Sequence, residues 1–85
     1  MNHITPPLIH LNGSNREYLL NRYKDSFEKL LAFQEAFMQI DVHPRDYYPM
    51  GDDYWMRAKT DHDEMRKKMF DLFNWIEQHM AALQP

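Results

Sequence analysis

Trp55, Ala58, His62, Met65, Met69, Leu72, Ile76, His79 and Leu83 follow one another at alternating spacings of three and four residues. That repeat puts them all on one stripe of an α-helix about 30 residues long, the pattern of a coiled-coil seam. A strand turns its side chains over at every residue, and no loop keeps such a period. The chain is therefore expected to be all-α. Phe73 and Met80 stand beside the seam. Asp63/Lys67 and Glu64/Lys68 lie four apart in the favourable order, as on a solvated face.

A seam needs a partner, and the sequence supplies one. Leu20, Tyr23, Phe27, Leu30 and Leu31, continued by Phe37 and Met38, form the apolar face of a first helix. Leu19, Phe33 and Ile40 widen that face beyond what a single neighbour covers. Ser14 with Glu17 reads as a capping box opening this helix, and Val42-His43-Pro44 as its end. Asp52 or Asp53 is positioned to cap the second helix. The organisation expected is an extended arm over residues 1–13, then a helical hairpin over 14–85. Within it, helix 1 runs near 14–41, a loop covers 42–51, and helix 2 runs near 52–83. In the arm, Pro6 and Pro7 forbid a helix, Leu8, Ile9 and Leu11 are apolar enough to dock, and Asn12-Gly13 signals a turn.

Two antiparallel helices bury one interface, which leaves Phe33, Phe70 and Trp75 without an evident partner. Together with Phe37 they are assigned to an interface. A homodimer forming a four-helix bundle, with helix 1 at its centre, satisfies them.

The chemistry is sparser. A chain of 85 residues is one small domain, and 44% hydrophobic with 27% charged residues is ordinary for a globular one. A net charge of −3 gives no reason to expect a nucleic-acid polymer as partner. The absence of cysteine removes disulfides and thiolate chemistry. No run has the apolar length of a membrane span, and the start lacks the pattern of a signal peptide, so a cytoplasmic location is expected. No metal, cofactor or catalytic residue is assigned. Thr60-Asp61-His62-Asp63-Glu64 is rich in ligand atoms, but neighbouring helical residues point about 100° apart and do not converge. The glutamate–histidine spacing of di-metal bundles and a Gly-rich phosphate loop are both missing, so the chain is not expected to be an enzyme. Arg66-Lys67-Lys68 reads as part of a solvated face.

The run Arg45-Asp46-Tyr47-Tyr48, set between Pro44 and Pro49, admits two readings. The tyrosines cap the end of the bundle, or they and Arg45 form a binding surface.

His10-Leu11-Asn12-Gly13-Ser14, with Leu19-Leu20 and Tyr23 after it, resembles the start of small helical-hairpin proteins encoded by tailed bacteriophages and prophages. Arg45-Asp46-Tyr47-Tyr48-Pro49-Met50-Gly51-Asp52 resembles their second shared patch. The similarity runs over roughly residues 8 to 83 and is sharp in those two patches. It implies a viral setting, inside the bacterial host, and an accessory role such as opposing host defence. The two patches lie at opposite ends of helix 1, about 38 Å apart at helical rise, so they meet only between subunits. In an antiparallel dimer each arm would lie beside the partner's tyrosine loop. The ligand-binding set is then His10, Asn12, Ser14, Arg16, Arg45, Tyr47 and Tyr48. Its arginines and helix N-terminus suit phosphate and its tyrosines suit a base. The working expectation is capture, without turnover, of a nucleotide-like signalling ligand. The alternative is an inhibitor or adaptor that binds a host or phage protein through exposed helix faces.

Overall fold

The computed structural model describes residues 3–84; Met1 and Asn2 of the expected arm, and Pro85, lie outside them. Two helices make up the fold, α1 over Arg16–Phe37 and α2 over Asp52–Leu83, with no strand among the described residues. Ring contacts fix their antiparallel register. Phe27 meets Phe73 edge-on at 5.4 Å, Phe37 stacks on His62 at 4.9 Å, and Tyr23 lies against both Trp75 and His79. The hairpin is a rod of 62 × 23 × 18 Å. No helix among the described residues is long and apolar enough to cross a membrane.

Both helix starts differ from expectation. Asn15, not Ser14, caps α1: its Oδ1 accepts from the Tyr18 backbone N–H at 2.7 Å. Glu17 therefore falls in the first turn, where its charge suits the helix dipole, and no Ser14–Glu17 box forms. On α2 the N-cap is Gly51, with φ at 94°, and Asp52 and Asp53 sit in the first turn without capping it. Nothing would crowd a Cβ at Gly51, so glycine is required there for its backbone freedom alone.

The end of α1 also comes earlier, at Phe37 rather than near 41. Its last turns tighten into Gln39 N–H to Ala36 and Ile40 N–H to Phe37 bonds, ahead of the Pro44 signal. Ile40 and Val42 are β-branched and favour leaving the helix. The Trp55 indole then donates to the Val42 carbonyl at 3.2 Å, pinning the departing chain across α2. Two 3₁₀ turns follow, Pro44–Asp46 and Tyr48–Met50, each with proline in its first positions.

The seam itself is redistributed. Met69, Phe73, Ile76, His79 and Leu83 are the buried residues of α2, so Phe73 belongs to the core it was expected to flank. Met65 and Leu72, expected inside, are exposed at 47% and 53%. The apolar arc of α2 is wider than α1 covers along the middle of the hairpin, where Met65 and Leu72 stand outside the contact; His79, one heptad beyond Leu72, is buried against Tyr23. On α1 the inward positions are Leu20, Tyr23, Phe27, Leu30, Gln34 and Phe37, all half-buried; none is fully buried. Leu31 and Met38 stand outside that line and are exposed.

Two of the four aromatics assigned to an interface pack across the hairpin onto the other helix, and Phe33 touches the Phe37 ring of its own helix at 5.8 Å. Phe37 stacks on His62, and Trp75 packs on Tyr23 and His79. Phe33 and Phe70 remain exposed. Buried His79 donates from Nδ1 to the Trp75 carbonyl at 2.8 Å, which satisfies one polar atom of its ring. His62 is less settled: its Nε2 is buried and has no hydrogen-bond partner. Asp63 pairs with Arg66 at 3.3 Å, in place of the expected Asp63/Lys67 pair, and no Glu64/Lys68 bridge forms.

Candidate functional site

The residues expected to bind a ligand fall into two clusters, one at each end of α1. At the arm end, the Gly13 N–H donates to the His10 carbonyl and closes a turn. His10's ring folds back over Gly13; a Cβ there would lie 2.7 Å from His10 Nε2. That imidazole is thus parked on its own turn. Asn12, Ser14 and Arg16 are exposed around it. Leu8 and Leu11 do not dock, whereas Ile4 and Ile9 are half-buried.

At the other end, His43 organises the loop. Its Nδ1 accepts from the Arg45 backbone N–H at 3.1 Å and so caps the first 3₁₀ turn. The Arg45 guanidinium is exposed and forms no ion pair among the described residues. Tyr47 is half-buried against Tyr54, with ring centres 5.8 Å apart, while Tyr48 is 73% exposed. The pair thus divides between the two readings: Tyr47 packs as a cap, and Tyr48 stands free.

Along the first turns of α2 runs an open groove of about 940 Å³. Tyr47, Tyr54, Met56, Arg57, Asp53 and Asp61 are among its lining residues. Arg57 lies over the Tyr54 ring at 5.4 Å. Sequence reasoning did not single out Tyr54 or Arg57, although their spacing of three is a usable signal for a helical face. Two carboxylates against one arginine make this groove a poor seat for a phosphate.

The clusters do not meet. α1 has 22 residues, which separates its ends by about 33 Å. Among the described residues, no group of three histidine, aspartate or glutamate side chains converges as a metal site would. Across Thr60–Glu64, His62 turns inward onto Phe37, Asp63 turns to Arg66, and Asp61 lines the groove.

What the hairpin does present is apolar surface. Ser26 and Leu72 line one groove together with Tyr23 and Trp75, and a second groove opens on the far side of Leu72, between Lys68 and Trp75. One heptad further along the same edge, the equivalent positions are Phe33 and Met65. Phe33, Met65 and Leu72 therefore share one edge of the hairpin, and all three are exposed. No family model, no curated protein and no solved structure matches this chain.

Proposed function

We propose that this chain is a non-enzymatic interaction module, a helical hairpin whose apolar edges are completed by a protein partner. One observation carries the reading: α1 has no fully buried residue, while Phe33, Met65 and Leu72 stay exposed along one edge of a folded hairpin and Phe70 stays exposed on another face of α2. Large apolar side chains grouped on one edge are the mark of an association surface. The setting proposed with it is that of the resemblance, a phage-type accessory protein acting on a host or phage protein in the bacterial cytoplasm.

Site-specific photocrosslinking tests it. Benzoylphenylalanine in place of Phe33 or Phe70 should give a discrete adduct with a protein in cells, and the same group at exposed Glu28 should not. Irradiation that yields no adduct from either aromatic position would overturn the reading.

Nucleotide capture is the second reading, favoured by the exposure of both Tyr48 and Arg45 on one short loop, Arg45 having no ion pair among the described residues. A base stacked on Tyr48 with its phosphate on Arg45 is the geometry it requires. Calorimetric titration with linear and cyclic nucleotides should then show binding that Arg45→Ala removes. Silence across the panel would leave the tyrosines as bundle caps.

A further inference from the structure

We infer that the partner on the Met65–Leu72 edge is a second copy of this chain, packed antiparallel through α2; the inference rests on the interaction-module reading and names its partner. Area is the first argument. The 10.4 kDa chain exposes 6894 Å². A compact monomer of that mass exposes about 5,400 Å², so about 1,500 Å² is in excess. A stable interface takes about 800 Å² from each partner. The hairpin has that to give.

Self-complementarity is the second argument. Ala58, Asp61, Met65, Lys68, Leu72 and Trp75 form a second stripe on α2 at spacings of three and four, beside the one that packs on α1. Turn a copy of α2 antiparallel about a two-fold axis at Met65. Met65 then meets Met65, and each Leu72 falls opposite the small Ala58 of the other copy. Lys68 of each copy comes within a residue of Asp61 of the other, giving two opposite-charge pairs on either side of the axis. The grooves that flank Leu72 suit a ridge of side chains from a second helix. An isologous contact of this kind closes on itself and leaves no open edge.

This register has a consequence for the two end clusters. With the axis at Met65, the C-terminal end of one α2 lies level with the Tyr47–Tyr48 loop of the other copy. The arm enters α1 beside that end, so His10, Asn12 and Arg16 of one copy approach Arg45 and Tyr48 of the next. The dimer is thus built on the outer stripe of α2, with Phe33 of α1 bordering it, rather than centred on α1.

Light scattering with chromatography on the purified chain decides it. At about 100 µM, well above a micromolar Kd, the wild type should run at twice the chain mass. Leu72→Glu should run as a monomer with unchanged helical circular dichroism, since Leu72 is exposed in the hairpin. Asp61→Lys and Lys68→Asp should each weaken the dimer about tenfold, and the double reversal should restore it. A monomeric wild type, a dimer that survives Leu72→Glu, or a double reversal no better than the single ones would overturn the inference. A monomeric wild type that still photocrosslinks to another protein through Phe33 would overturn the self-pairing and keep the interaction module; no crosslink as well would overturn both.

Discussion

Met65 and Met69 stand one turn apart on the same helix, in the same apolar repeat, yet one is 47% exposed and the other 4%. Leu72 and Phe73 are adjacent and divide the same way. The difference lies in what each residue faces at its own level of the hairpin. Met69 and Phe73 look onto α1, where Phe27 receives Phe73 edge-on. Met65 and Leu72 look past α1, because a single helix covers an arc narrower than the one α2 presents. Periodicity therefore reports how wide an apolar face is and says nothing of how many elements share it.

Truncating each column in turn tests the contrast most strongly. Phe73→Ala removes a buried ring and its partner contact and should cost about 3–5 kcal/mol, enough to unfold so small a core. Leu72→Ala should change the stability of the dilute, monomeric hairpin by less than about 0.5 kcal/mol. Chemical denaturation at low protein concentration measures both, and comparable losses would erase the distinction between the columns.

His62 sharpens the same comparison from inside. It is stacked on Phe37 with a buried, unpartnered Nε2, so the inward column carries a polar penalty. His62→Phe should raise stability by about 1 kcal/mol, because it keeps the ring contact and removes the desolvated nitrogen. A loss on thermal melting would mean that the ring nitrogen has a partner.

The helix starts come next. Asn15→Ala should cost about 1 kcal/mol through the lost cap, Asn15→Ser should keep most of it, and Ser14→Ala should have little effect. An equal loss at Ser14 would restore the capping box that the structure replaces.

The exposed pair on α1 should matter least. Asp25 and Lys29 bond at 2.6 Å, which lowers the Asp25 pKa and raises that of Lys29. For Asp25 the stabilisation is present above its unfolded pKa and disappears as pH falls through the lowered folded value. For Lys29 it is present below the unfolded pKa and is lost as pH rises through the raised one. Both side chains are solvent-exposed, so Asp25→Asn should leave the melting temperature at neutral pH unchanged within error.

The helical class followed from spacing alone, because a sustained three-and-four repeat has no other solution; the antiparallel direction came from the loop that joins consecutive helices. The split of the seam followed from neither. Met65, Met69 and Leu72 share one repeat and Phe73 stands beside it, and only the angle at which α1 docks decides which of them are covered. The caps were misassigned by one or two residues; at α1, Ser14 and Asn15 are both competent and tertiary entry of the chain chooses between them. At the loop, Pro44, Pro49 and the tyrosines announced a rigid turn. The roles of His43 as cap and of Trp55 as the clamp on Val42 depend on contacts between segments, which no local pattern reveals. The same holds for Tyr54 and Arg57, which join Tyr47 only once α2 is folded against the loop.

The chain carries its own reporters for the central claim, in methionines on different columns of one helix. Oxidative footprinting of Met56, Met65 and Met69 across a concentration series reads them together, because sulfoxide formation follows exposure. In dilute protein, Met56 and Met65 should oxidise readily and Met69 slowly. As concentration rises, Met65 alone should become protected, while Met56, on the opposite side of α2, stays reactive. Met65 oxidising at one rate throughout the series would contradict the account, as would Met69 reacting as fast as Met65.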